Sequence, residues 1–420
     1  MLFLADMDAC AQKVQQMMNG AITSIYYSAF VCQFDHPLPG LGGITFRNLF
    51  TAAAARGVRV HLFMNPSQQY GNQPPGPLPV GVEIRTVHGS GEVPQPFALS
   101  FGPTYSHHHQ KFLLIDDGEV MLGGVEIHPC RAGWLRLNGE PDPYFWHEVG
   151  VAVPTKPDFA QWVHAQWEGV FLPPPFPFLN ADAEDATLCR LIREAVDCVH
   201  MEAQLCISSE HTANGVVRAL AERVQRSWFM QDAFKFMLLV NEMQPDEHPV
   251  VSAAVAGMLT WSLGSLYHMV EKAGVPPSFF DAHVAVGKVE YADTHVKVHS
   301  NLLIADGRTL VRSSSNLTDR SLSLAPCDNE LGVLVSGPIV ASTQQVLWHR
   351  LFQTVPDHFI TPSQAFDLFR TNAGVVRLLS SDRFCSNIHH QMRDVVFSTC
   401  HRLDPFGGKA LIQWSVQSHE

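Results

Sequence analysis

The sequence predicts an α/β protein of two similar halves, each a mixed β-sheet flanked by helices, packed with pseudo-twofold symmetry. Three observations carry this. Helical stretches alternate with short apolar strands along most of the chain. A polar pattern around His109 recurs around His299, roughly 190 residues on, far outside the roughly 20–50-residue periods of solenoid repeats. Between the copies lies a Pro-rich, then acidic stretch, LPPPFPFLNADAED, from Leu172 to Asp185.

Taken in order, Asp8 to Met18 reads as a helix and Ile22 to Val31 as a β-rich strand. Phe46 to Ala55 reads as a helix ended by Gly57, and VRVHLFM (Val58 to Met64) as an alternating strand. Pro66 to Pro79 is a loop by its Pro, Gly, Gln and Asn content. QKFLLID (Gln110 to Asp116) is a buried strand, followed by the Trp146-His147-Glu148 strand and a helix from Pro157 to Trp167. The second half repeats the order: helix Leu188 to Cys198, strand Val199 to Ile207, helix Val216 to Arg226, strand Phe234 to Asn241 and a longer helix Ala253 to Lys272. The second motif and a closing helix, Ser342 to Phe352, complete it. The expected units are residues 1–171, a linker 172–185, residues 186–375, and an extension 376–420 with no counterpart in the first half.

The first motif, SHHHQKFLLIDDGEVMLGGVE, places His109 and Lys111 two apart, so on a strand they project to one face. Asp116 closes that strand and is expected to bind backbone in the following turn. Gly123 and Gly124 allow close approach of a ligand or a second backbone. A lone His-x-Lys is a weak signal, but its recurrence is not. HSNLLIADGRTLVRSSSN aligns without a gap, pairing His109 with His299, Asp116 with Asp306, Gly124 with Ser314 and Glu126 with Asn316. Further on, HEVGVAV matches NELGVLV, setting Glu148 opposite Glu330. An unpaired carboxylate in an apolar strand is costly, so a histidine partner is expected for each. The second copy has Asn301 in place of lysine and Ser313 in place of glycine. Lys297, on the same face as His299 if the strand extends back, could restore the missing charge.

Composition bounds the function. The formal net charge of −12 and pI near 6.0 argue against a dominant nucleic-acid surface, though not against a local basic cleft. Nine dispersed cysteines without a CxxC pair read as reduced thiols, not as a disulfide framework or zinc site. MLFLADMDAC is too short and too soon acidic for a signal peptide, and Val250 to Leu266 falls short of a spanning helix. The expectation is a cytoplasmic protein, peripheral on membranes where its substrate requires it.

These motifs resemble the phospholipase D superfamily. His109-x-Lys111-x4-Asp116-x6-Gly123-Gly124 matches its signature, and SHHHQK is similar to the eukaryotic form. GGVEIHPCRAGW with FWHEVGVAV, and SSNLTDRSL with CDNELGVLV, are similar to the stretches following each motif, and MEAQLCISS loosely to a segment early in the second half. The resemblance implies the phospholipase D fold and a phosphodiesterase that hydrolyses or transfers the phosphatidyl group of a phospholipid at a membrane interface. It implies a monomer, because both motifs share one chain, and no metal or other cofactor. His109 would be the nucleophile, giving a phosphohistidine, and His299 the acid. Lys111 and Asn316 would hold the oxyanion, and Glu148 and Glu330 would fix the histidine tautomers. Asp116 and Asp306 complete the motif copies. Gly123, Gly124, Glu126, Asn301, Ser314 and Lys297 would border the substrate. Two other readings stay open: a superfamily nuclease, and a catalytically impaired lipid-binding protein, to which Asn301 points.

Overall fold

The structure, a computed structural model, describes residues 1–30, 32–38, 40–64, 78–87, 108–126, 146–210, 212, 214–242, 249–291, 294–322 and 328–379. The first half runs β1 (Leu2–Leu4), α1 (Met7–Gly20), β2 (Ser24–Ala29), α2 (Phe46–Ala55), β3 (Arg59–Met64), β4 (Val82–Thr86), β5 (Phe112–Ile115), β6 (Glu119–Leu122), β7 (Trp146–His147), β8 (Gly150–Pro154) and α3 (Pro157–Trp167). The second begins with β9 (Phe178–Leu179), α4 (Ala181–Glu194), β10 (Cys198–Ala203), α5 (Val216–Met230), β11 (Lys235–Val240), α6 (Pro249–Lys272), α7 (Pro277–His283) and β12 (Val284–Tyr291). It continues with β13 (Thr294–Val298), β14 (Asn301–Ala305), β15 (Thr309–Ser313), α8 (Asp319–Leu322), β16 (Gly332–Ser336), α9 (Pro338–Phe352), α10 (Pro362–Arg370) and β17 (Val376–Leu378).

The two sheets share one plan. The first has the order β1-β8-β6-β5-β2-β3-β4, and the corresponding part of the second reads β9-β16-β15-β14-β10-β11-β12. In each, three strands run parallel (β2, β3, β4; β10, β11, β12), and the remaining four add antiparallel to one another on one side. The second sheet also takes up β13, β17 and, from the first half, β7. Both faces of the central strands are covered: β2 and β10 are buried along their whole length, with Ser28, His200 and Glu202 buried among the apolar residues. Helices α1 and α2 cover the outer face of the first sheet, and α4, α5 and α6 that of the second. The inner faces of both sheets share one core with α3, α9 and α10, built on residues such as Phe112, Phe159, Trp348 and Phe366.

Local chemistry sets the helix starts. Asp6 and Asn180 cap α1 and α4 by accepting from Ala9 and Ala183 N–H, and Thr45 with Asn48 forms a capping box on α2. The cap positions of α1 and α4 correspond, so the second repeat starts at β9, inside the expected linker. Pro-rich flanks conceal this two-residue strand, but Phe178 stacks on Phe159 at 3.8 Å and is buried. The acidic residues beyond it are not linker either: Asp182 and Glu184 form the first turn of α4, where the helix dipole favours them. Consequently α4 ends at Glu194, and Cys198 opens β10. Of the expected extension, Val376–Leu378 pairs with β12 as β17, while residues 380–420 lie outside the described residues. Most of the expected loop 66–79 does too. Among the described residues no helix is long and apolar enough to cross a membrane.

Candidate active site

The polar groups of both motifs collect where strands break. His109 and Lys111 precede β5, His299 precedes β14, Glu148 lies between β7 and β8, and Glu330 precedes β16. Sequence reading put all of them within strands; the strands instead start one to three residues later, which frees these side chains from alternate-face geometry. The stretch from His295 to Asn301 is likewise two strands. β13 pairs with β12 and β14 with β10, so the chain turns at His299 and Ser300 and the face shared by Lys297 and His299 does not continue to Asn301.

The halves meet by exchanging equivalent bonds. The His109 N–H donates to Asn329 O at 3.0 Å, and the His299 N–H donates to His147 O at 2.9 Å. Side chains cross in the same way. His109 Nδ1 lies 2.9 Å from both Glu330 oxygens, and His299 Nδ1 lies 2.5 Å from Glu148 Oε2. Each histidine thus takes its carboxylate from the other half. With Nδ1 engaged, each ring presents Nε2 as its reactive nitrogen.

The two carboxylates differ in setting. Glu148 accepts from Arg312 Nη2 at 2.6 Å and from its neighbour Val149 N–H at 3.1 Å. Burial pushes its pKa up, opposed chiefly by the Arg312 guanidinium. Glu330 accepts from Ser314 Oγ at 2.5 Å. Arg312 also donates Nε to Val149 O at 2.8 Å, and its guanidinium passes directly over Gly123. A Cβ at Gly123 would meet Nη2 at 2.4 Å, and one at Gly124 would meet Cys10 Sγ at 2.4 Å. The close approach that these positive-φ glycines permit is therefore by the Arg312 guanidinium and the Val149 carbonyl at Gly123, a second backbone as expected, and by Cys10 at Gly124.

Lys111 is buried and donates Nζ to His109 O at 3.1 Å. Glu126 Oε2 lies 3.8 Å from Lys111 Nζ and 3.7 Å from His299 Nε2. Asn316 is buried, with its Oδ1 lacking a hydrogen-bond partner. Asn301 turns into its own half: Oδ1 accepts from Gln204 N–H at 3.1 Å and Nδ2 donates to Ser314 O at 3.3 Å. Lys297 is buried on β13 at the register of Trp146. The aspartates stand apart from this cluster. Asp116 accepts from the backbone of Ile22, Thr23 and Ser24 at 2.7–2.9 Å, and Asp306 from Val196, Asp197 and Cys198 at 2.8–2.9 Å. The backbone each binds leads into β2 or β10, not the following turn, so their carboxylates serve the sheet and not the reacting groups.

Three groups, Arg312, Glu184 and Glu202, escaped the sequence reading. The signal for Arg312 was a lone cation in the apolar strand TLVRS. Glu184 accepts from Ser313 Oγ at 2.5 Å and Ser315 Oγ at 2.7 Å, and burial pushes its pKa up to about 8. Glu202 accepts from His147 Nε2 at 2.9 Å and His200 Nε2 at 3.0 Å, and from Ser300 Oγ. Burial raises its pKa, but these two histidines more than offset that and hold it well below the ordinary value. His108, next to the motif histidine, lies 2.7 Å from Ser28 Oγ with its pKa pushed down to about 3, by burial first and then by Lys111 and His109. His107 lies outside the described residues.

No family model matches the chain. A stretch of 168 residues is 27% identical to phospholipase D zeta 1 of Arabidopsis thaliana, covering 34% of this chain and 15% of that protein. The chain therefore spans a small part of the curated relative it matches. Among solved structures, phosphatidylserine synthase of Haemophilus influenzae Rd KW20 superimposes with a TM-score of 0.55 at 11% identity, covering 96% of this chain and 94% of that one. At that identity the likeness is one of fold, and it extends over both halves.

Proposed function

We propose that the chain is a phospholipase D-type phosphodiesterase acting on the phosphatidyl group of a phospholipid through a phosphohistidine. The observation that carries the reading is the reciprocal exchange of His–Glu pairs between halves, His109 with Glu330 and His299 with Glu148. A carboxylate on Nδ1 fixes the tautomer and stabilises the imidazolium, as in a Ser-His-Asp arrangement.

In the first step His109 Nε2 attacks phosphorus, and the bond from phosphorus to the headgroup oxygen breaks. The Nε2 proton of imidazolium His299 passes to that oxygen. In the second step His299 Nε2 takes a proton from water or an alcohol, whose oxygen attacks phosphorus while the N–P bond breaks. Lys111 and the Asn316 amide supply positive ends to the phosphoryl oxygens. His109 is assigned as nucleophile because the lysine of its motif copy is intact. The similarity to phospholipase D zeta 1 and the fold shared with a phosphatidylserine synthase support a phospholipid substrate.

The test is incubation of the purified chain with phosphatidylcholine vesicles and a primary alcohol. Choline release with formation of the phosphatidyl-alcohol is expected. Absence of both, with folded protein, contradicts the reading and favours a lipid-binding role.

A further inference from the structure

Glu126 stands at the position aligned with Asn316 of the other half, yet it carries a charge. Its buried carboxylate lies 3.8 Å from Lys111 Nζ and 3.7 Å from His299 Nε2. It therefore sits between the cation assigned to a phosphoryl oxygen and the nitrogen assigned to the leaving group. A second departure acts in the same direction. Asn301 stands where the other copy has Lys111, and its amide is occupied by Gln204 N–H and Ser314 O. Relative to a site with a lysine and a neutral amide in each copy, the centre is two charges more negative. Around the two rings, ion pairs join Lys111 and Arg312 to Glu126 and Glu148 while Glu330 meets His109, so the three carboxylates already occupy the cations they meet before any substrate binds.

A phosphodiester brings one negative charge, whereas a phosphomonoester with its second pKa about 6 brings two above neutral pH. We propose that Glu126 is a specificity-determining residue that admits monoanionic phosphodiesters and rejects dianionic phosphomonoesters. This rests on the phosphodiesterase reading and names what the site excludes. Hydrolysis of a phospholipid at the headgroup leaves a phosphomonoester, so the same repulsion expels the hydrolytic product. The diester product of transfer to an alcohol gains nothing from it.

The experiment measures equilibrium binding of dimethyl phosphate and methyl phosphate to the full chain at about pH 8, where the monoester is dianionic. It uses wild type, Glu126→Gln, and Glu126→Asn, which copies Asn316. Wild type should bind dimethyl phosphate more tightly. In the variants the ratio of the two dissociation constants should shift toward methyl phosphate by about tenfold or more, the scale of removing one charge within about 4 Å in a partly screened site. An unchanged ratio in a folded variant overturns the proposal. So does wild type preferring methyl phosphate or binding neither ligand, a comparison that needs no variant to fold. Because binding is read without turnover, a chain that shifts its ratio but hydrolyses no diester would sink the enzymatic reading and leave this one standing.

Discussion

Glu148 of the first half binds His299 of the second, Oε2 to Nδ1 at 2.5 Å, while its other oxygen holds the Arg312 guanidinium at 2.6 Å. All three groups are buried, so the pair is also a structural joint between the halves. Removing one member of a buried ion pair costs about 3–5 kcal/mol because the other charge loses its partner. Glu148→Gln should therefore destabilise the protein more than Glu330→Gln, whose carboxylate is bound by His109 and Ser314. Denaturant melts of both variants check this, and equal losses would contradict the inequality.

Turnover should treat each histidine and its carboxylate as one unit. His109→Ala and Glu330→Gln should each cut the rate by about 10²- to 10⁴-fold, and the double variant should be little worse than His109→Ala alone. Multiplicative losses would mean that Glu330 acts independently of His109. Because one histidine must be neutral and the other protonated, the rate should follow a bell-shaped pH profile. A flat profile through the histidine range would count against two histidines.

Stability should carry a pH slope from Glu184. Its folded pKa of about 8 lies above the ordinary 4.5, so the folded state retains a proton that the unfolded chain releases. Its contribution is full below about pH 4.5, declines as pH rises and is gone above about pH 8, an effect on the order of a few kcal/mol. Glu184→Gln, which keeps an acceptor for Ser313 and Ser315, should flatten the fall in melting temperature between about pH 5 and about pH 8. An identical slope in the variant would show that Glu184 is ionised in the folded protein.

The duplication, the motif residues and the need for a histidine partner at each glutamate were legible in the sequence, because they depend on spacing along one strand or one alignment. Which glutamate serves which histidine was not. The partners are 221 and 151 residues apart, and their pairing follows from the exchange of backbone bonds between halves. Arg312 was hidden for the same reason: its bonds reach 163 and 164 residues back to Val149 and Glu148. Gly123 and Gly124 read as room for a ligand or a second backbone because sequence shows that space is needed and not what fills it; Arg312, the Val149 carbonyl and Cys10 fill it. Asp116 and Asp306 read as parts of the motif, but their bonds close each sheet far from the histidines in bonding terms.

Asn301 changes meaning once its bonds are known. Restoring lysine there looks, from sequence, like restoring a cation to the phosphate. In the fold, Asn301→Lys removes the acceptor of the buried Gln204 N–H. It should lower stability by about 1–3 kcal/mol, the cost of an unsatisfied buried donor. A variant as stable as wild type would show that the Asn301 amide is dispensable, and a faster one would show that the second lysine can still reach the phosphoryl group.

The mechanism turns on which atom bonds to phosphorus. Wild type and His299→Ala should be reacted with bis(p-nitrophenyl) phosphate, whose leaving group needs little acid assistance, then quenched under base and mapped by mass spectrometry. A phosphoryl adduct on His109 is expected, accumulating in His299→Ala because the water of the second step lacks its base. An adduct on His299 in wild type, or steady turnover with no adduct on either histidine, would contradict it.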